Sequence, residues 1–251
     1  MRIVIIAQPR TGTSMLVNAL NTLDDFNVYG ELFARVQTMN YLANPHLQEV
    51  QDEMIKRFIR NSYDLSGKKS VDDFLDYIYK VRKYKNMDWQ NDLNTGFKLL
   101  SPHLNRNEGI KIIDYINNND IYKVILYREN KLKQAISAMT NKIEGNIHID
   151  NVEFLMTKVK FLIREENRMD EIFANGKYVK KSYESLTGER DVKELDMHWL
   201  WNLLEYSRDP IIKVPLRKYR PNKVMDNISN FGTLASHIKN KEPQFLDWLR
   251  S

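Results

Sequence analysis

The chain opens with an unbroken apolar run, Ile3-Val4-Ile5-Ile6-Ala7, which passes directly into Gln8-Pro9-Arg10-Thr11-Gly12-Thr13-Ser14. A continuous β-branched run of this kind suits a strand covered on both faces, as in a parallel sheet. Beyond the loop, Met15, Leu16, Ala19, Leu20 and Leu23 recur at helical spacing, which predicts an amphipathic helix over residues 13–22. A loop between a buried strand and a helix presents unpaired backbone N–H groups and the positive end of the helix dipole, so it can hold an anion. Gly12 lets the backbone approach that anion, Thr11, Thr13 and Ser14 add hydroxyl donors, and Arg10 adds a permanent positive charge. Only nine glycines occur among 251 residues, so one at this turn is informative. A tight strand-to-helix turn without a ligand is the plain alternative.

The rest of the chain fits the same architecture. Residues 94–100, 121–127 and 177–183 read as further strands, each followed by a helical pattern or a loop, and strands alternating with helices point to a parallel α/β sheet. Charged amphipathic helices are expected over residues 48–60 and 70–85. A long one should follow the potential cap Asp150, because Val152, Leu155, Met156, Val159, Leu162 and Ile163 form one stripe. Residues 192–206 read as another helix, 210–221 as irregular, and 231–238 as a short closing helix. With 42% hydrophobic residues and no internal repeat or low-complexity linker, one domain over residues 1–251 is the economical reading.

Composition removes several function classes. There is no cysteine, hence no disulfide, thiolate nucleophile or Cys-ligated zinc, and the five histidines lack metal-ligand spacing. The net charge of +5 agrees with an anionic ligand, although a solvated basic surface explains it equally well. The apolar start is too short for a signal-peptide core or a membrane span, so a cytoplasmic protein without stable membrane insertion is expected. Nothing points to nucleic acid.

The nucleoside triphosphate loop, G-x-x-x-x-G-K-[ST], is the useful comparison. Here Ala7 stands at its first glycine and Thr13 at the lysine that reaches the terminal phosphates. That disfavours ordinary triphosphate chemistry. Pro9-Arg10-Thr11-Gly12-Thr13-Ser14 instead resembles the phosphosulfate loop of the sulfotransferase superfamily, which uses 3′-phosphoadenosine 5′-phosphosulfate (PAPS) as sulfuryl donor. Pro-Arg-Thr-Gly-Thr looks especially like bacterial carbohydrate sulfotransferases of the Nod-factor and trehalose type. The resemblance implies a P-loop-like three-layer fold, a central parallel sheet flanked by helices, and no required metal.

It also implies roles for particular residues. Arg10, Thr11, Gly12, Thr13 and Ser14 would grip the 5′-phosphosulfate. Arg128, at the end of strand 121–127 in Arg128-Glu129-Asn130, and Ser137, nine residues on, would hold the 3′-phosphate; an ordinary helix start is the alternative. Tyr183, in Ser182-Tyr183-Glu184-Ser185-Leu186, looks like the family tyrosine near the adenine.

For the base that takes the acceptor proton, the resemblance favours Glu31 in Tyr29-Gly30-Glu31, with a helix-capping surface carboxylate as the alternative. His103, beyond the Lys98 strand, competes with it, and Lys98 would face the sulfuryl group or acceptor. Arg217-Lys218-Tyr219-Arg220 lies where a basic loop covers the nucleotide in relatives, and Ile228-Ser229-Asn230-Phe231 resembles a packing motif of bacterial members. The implied reaction is sulfuryl transfer from PAPS, leaving 3′-phosphoadenosine 5′-phosphate (PAP), to a hydroxyl of a small molecule or glycan, with residues 33–93 shaping the acceptor pocket. A divergent P-loop small-molecule kinase and a non-catalytic anion-binding module remain open alternatives.

Overall fold

The computed structural model describes residues 1–33, 68–80, 94–139, 147–187, 194–205, 207, 211–213 and 227–249. The expected helix over 48–60, most of the 33–93 insertion and the basic segment 217–220 lie outside them.

The apolar start becomes β1 (Arg2–Ala7), the middle strand of a five-stranded parallel sheet. Its companions are β2 (Phe26–Glu31), β3 (Asn94–Leu100), β4 (Tyr122–Tyr127) and β5 (Tyr178–Ser182), in the spatial order β2-β3-β1-β4-β5. Ile5 of β1 stands opposite Lys98 on one side and Val124 on the other. Ile3, Val4, Ile5, Ile6 and Ala7 are completely buried. Each larger member of that run contributes about 1.5–3 kcal/mol of transfer free energy, so the sheet is built around this strand.

The helices are α1 (Thr13–Leu20), α2 (Lys68–Lys80), α3 (Ser101–Leu104), α4 (Asn107–Asn118), α5 (Lys131–Met139), α6 (Val152–Phe173), α7 (Tyr183–Thr187), α8 (His198–Leu203) and α9 (Phe231–Lys241). Strand alternation sorts them into layers. Val4, Ile6, Phe97 and Leu99 pack on Phe74, Ile78, Ile112, Ile116 and Phe173, from α2, α4 and the end of α6. Ile3, Ile5, Ala7, Val28 and Leu126 face Leu16, Leu20, Leu200 and Trp201, from α1 and α8. The molecule is therefore the three-layer, P-loop-like α/β fold expected from the sequence. A third cluster joins α5, the first half of α6, α9 and the 3-10 turn Pro243–Leu249 through Leu132, Ile136, Leu155, Val159, Leu234 and Phe245.

Some elements differ from the sequence expectation. β2 was not anticipated as a strand, because Asn27 and Gly30 interrupt its apolar pattern and both are poor strand formers. The cap of α6 is Asn151, whose side chain accepts from the Phe154 N–H at 2.8 Å, rather than its neighbour Asp150. In place of a single helix over 192–206 there is a strand, β6 (Glu194–Asp196), and then the short α8. β6 pairs antiparallel with β7 (Ile211–Lys213), which falls in the stretch expected to be irregular. Glu205 adopts φ 57°, a left-handed conformation that ends α8 without the usual glycine.

β3 approaches β1 through Gly96, where an added Cβ would lie 2.5 Å from the Ile3 carbonyl oxygen. Backbone cannot yield cheaply at such a contact. Gly96→Ala is expected to cost about 2 kcal/mol and lower the thermal midpoint by roughly 4–8 °C, measurable by calorimetric or circular-dichroism melting.

Candidate functional site at the carboxyl edge of the sheet

In an all-parallel sheet every strand ends on the same edge, and ligands bind there where successive connections diverge. The chain leaves β3 on one side of β1 and returns as β4 on the other, so that point is the end of β1. The anion loop occupies it.

Two left-handed residues shape the loop, Arg10 at φ 68° and Gly12 at φ 79°. Gly12 followed by helical Thr13 turns consecutive N–H groups toward one concavity, the arrangement that suits an anion. A non-glycine residue such as Arg10 holds a left-handed conformation at about 1–2 kcal/mol, and here its side chain is exposed. The loop is fixed from beneath. Thr11, fully buried, donates its hydroxyl to the Gln8 carbonyl at 2.8 Å. Buried Gln8 donates to the Leu162 carbonyl, while the Gln134 amide donates to Gln8 Oε1 at 3.0 Å and the Pro9 carbonyl at 2.9 Å. Thr13 is buried and Ser14 exposed.

Beside the loop, Lys98 Nζ lies 2.7 Å from Glu31 Oε1 and donates to Ser14 Oγ at 3.1 Å. Lys98 occupies the α1 face of β3, since its neighbours Phe97 and Leu99 face the other way. Glu31 reaches the same face through a bulge. Tyr29 pairs with Phe97, but the next pair is Glu31 with Lys98, leaving Gly30 as the extra residue. In an unbroken strand, Glu31 would share the face of Tyr29 and be aimed away from the loop.

His103 sits on α3 just beyond β3 and is buried. Burial pushes its pKa down to about 4, with Arg106 and Lys98 adding to the shift and Glu31 opposing it. The Leu100 N–H donates to its Nδ1 at 3.3 Å, so the neutral ring carries its proton on Nε2. In that tautomer the Nε2–H of His103 can only donate a hydrogen bond, and its basic nitrogen is already engaged. Arg106, which the sequence reading did not single out, donates to the Phe33 carbonyl at 2.6 Å and holds the chain just beyond Glu31.

On the far side of the loop, Arg128 follows β4 and Tyr183 follows β5. The Arg128 guanidinium carbon lies 5.1 Å from the centroid of the Tyr183 ring, and Arg128 Nε pairs with Glu184 Oε1 at 3.4 Å. Tyr183 also rests directly on the anion loop: a Cβ at Gly12 would come within 2.3 Å of its ring. The two motifs therefore touch through one aromatic side chain. Ser137 is half-buried on α5, three residues beyond Gln134, so the two share the helix face turned to the loop. Among the described residues no hydrogen bond joins Ser137 to Arg128.

Asn130 caps α5 by accepting from the Lys133 N–H at 2.9 Å and donates to the Trp248 carbonyl at 2.8 Å, which anchors the 3-10 turn to the start of α5. Lys131 is buried, donates to the Arg128 carbonyl and pairs with Glu166, which also pairs with Lys180 at 2.8 Å. Farther away, the Asn230 side chain bonds both the N–H and the carbonyl of Ile149, a structural role for that motif.

No protein-family model and no curated protein sequence matches the chain. Among the described residues no group of His, Asp and Glu side chains could hold a metal ion, and no helix is long and apolar enough to cross a membrane.

The His103 geometry has a pH signature. The folded state favours the neutral ring, so as pH falls the unfolded chain takes up the proton near its ordinary pKa of 6.5, before the folded protein does near 4. Stability from this residue is complete above about 6.5 and is lost progressively down to about 4. The unfolding free energy of the wild type relative to His103→Gln should therefore fall between pH 7 and pH 4.5 in urea titrations, whereas a flat difference would contradict the assignment.

Proposed function

We propose that the chain is a cytoplasmic PAPS-dependent sulfotransferase acting on a hydroxyl of a carbohydrate or glycolipid. The observation that carries this reading is the position of Arg128. Its side chain is only 17% exposed, its Nε is paired with Glu184, its guanidinium carbon lies over the Tyr183 ring, and among the described residues its two terminal amino groups have no hydrogen-bond acceptor. A nearly buried guanidinium with unused donors favours an anionic ligand. The anion loop is a second, separate set of donors, linked to the first by Tyr183 on Gly12. Two anion sites on one strand edge suit a nucleotide carrying a 5′-phosphosulfate and a 3′-phosphate better than one carrying a single phosphate chain.

The residues support an in-line displacement. The acceptor oxygen forms a bond to sulfur as the bond from sulfur to the 5′-phosphate oxygen breaks, and the electron pair stays on that oxygen to give PAP. The acceptor proton goes to the Glu31 carboxylate. Arg10, Lys98 and the loop N–H groups offset the charge that grows on the leaving phosphate oxygen. Lys98 stands beside Ser14 and so brings from a neighbouring strand the cation that Thr13 does not supply. His103, neutral and with Nε2 protonated, suits orientation of the acceptor hydroxyl better than proton removal. The insertion over residues 33–93 is the natural source of the acceptor pocket.

Titration calorimetry with PAP, ADP and adenosine 5′-phosphate tests the donor assignment. Wild-type protein should prefer PAP, and Arg128→Ala should remove the preference. Equal affinity for all three, or Mg²⁺-dependent ATP turnover, would sink the proposal. With a sulfated product as readout, Glu31→Gln is expected to retain PAP affinity within about threefold while turnover falls by at least about 100-fold. Unchanged turnover would move the base elsewhere.

A further inference from the structure

Glu184 is an acid placed beside the group proposed to bind a phosphate. Simple electrostatics makes that arrangement unfavourable, because a carboxylate within reach of Arg128 lowers the positive potential available to an anion. Its two oxygens nevertheless serve two different donors. Oε1 accepts from Arg128 Nε at 3.4 Å, and Oε2 accepts from the backbone N–H of Glu129 at 2.9 Å. The carboxylate thus ties the guanidinium to the backbone at the end of β4.

Three further contacts make this connection rigid. The Arg128 guanidinium carbon lies over the ring of Tyr183, 5.1 Å from its centroid, and Tyr183 immediately precedes Glu184. Lys131 Nζ fixes the Arg128 carbonyl from below and is itself held by Glu166. Ser182 Oγ accepts from the Ser185 N–H at 3.0 Å and closes the first turn of α7, which carries Glu184. With Nε occupied by Glu184, the remaining donors of Arg128 are its two terminal amino groups, a planar fork matched to two oxygens of one phosphate.

We propose that Glu184 is a positioning residue that sets the nucleotide selectivity of the site by pinning Arg128 so that both of its terminal amino groups serve a single phosphate. This inference rests on the donor reading above. Its physical content is that orientation outweighs the local negative charge. A long, flexible side chain left free loses rotamer entropy on binding, whereas one already fixed does not. Glutamine at position 184 would be nearly isosteric but could not serve both donors, because its amide nitrogen would meet one of the two N–H groups.

The two accounts predict opposite signs. If Glu184 contributed only its charge, Glu184→Gln would remove a repulsion and tighten PAP. If it positions Arg128, Glu184→Gln should weaken PAP at least about tenfold while changing ADP affinity less than about twofold, so that selectivity collapses with the 5′ site intact. Glu184→Asp retains the charge but retracts the carboxylate by one methylene; it should lose part of the PAP preference and provides a second variant should the first fold poorly. Calorimetry with PAP and ADP on both variants, with thermal midpoints measured in parallel, decides it. Selective loss of PAP supports the inference. Tighter or unchanged PAP binding in a folded variant overturns it while leaving the donor reading intact, whereas a wild-type protein that does not distinguish PAP from ADP overturns both.

Discussion

The structure depends on β1 being both central and parallel to its neighbours. A strand hydrogen-bonded on both sides and covered on both faces must be apolar throughout, which Ile3 to Ala7 satisfy with no exposed surface. Because all five strands run the same way, five carboxyl ends lie along one edge, and each delivers a polar group there: the anion loop after β1, Glu31 on β2, Lys98 on β3, Arg128 after β4 and Tyr183 after β5. Residues more than 150 positions apart become neighbours without any long-range design beyond strand order. The buried sheet supplies the rigidity, and the edge gathers the polar groups.

Cations concentrated at a partly buried edge require counterweights. Lys98 has Glu31, Arg128 has Glu184, and buried Lys131 has Glu166. Burial lowers the Lys131 pKa while Glu166 opposes the shift. Each pair limits the cost of an unpaired buried charge, and each also restricts where its cation can point. In His103 the same desolvation, reinforced by Arg106 and Lys98, outweighs the opposing charge of Glu31, and the ring stays neutral.

What could be read from the sequence follows from how local the determining physics is. The β1–loop–α1 unit was legible because an apolar run, a glycine and a helical stripe lie within two dozen residues. Lys98 and Arg128 were correctly placed because their strands were. Glu31 was identifiable as a residue, but its facing was not, since it depends on a bulge registered against a strand about seventy positions away. Gln134 and Glu184 acquire their significance only from contacts with Pro9 and Arg128, at separations of 125 and 56 residues. Asp150 and Asn151 are equally good caps by type, so only backbone geometry could choose between them. The break that ends α8 was hidden because Glu205, rather than a glycine, adopts the left-handed conformation.

The bulge at Gly30 separates two demands that would otherwise compete along one strand. Tyr29 answers to the volume of the core against Phe97, while Glu31, two positions on, answers to the charge of Lys98. Regular pleating would tie the two together, making any acid at position 31 a core residue. One additional peptide unit lets packing and reactivity vary independently on the same edge strand. Counting residues, rather than changing them, thus sets which way this site faces: with Gly30 in regular register the carboxylate would turn from its lysine toward hydrocarbon, whereas losing that unit would leave it opposite Lys98 in an unbulged strand.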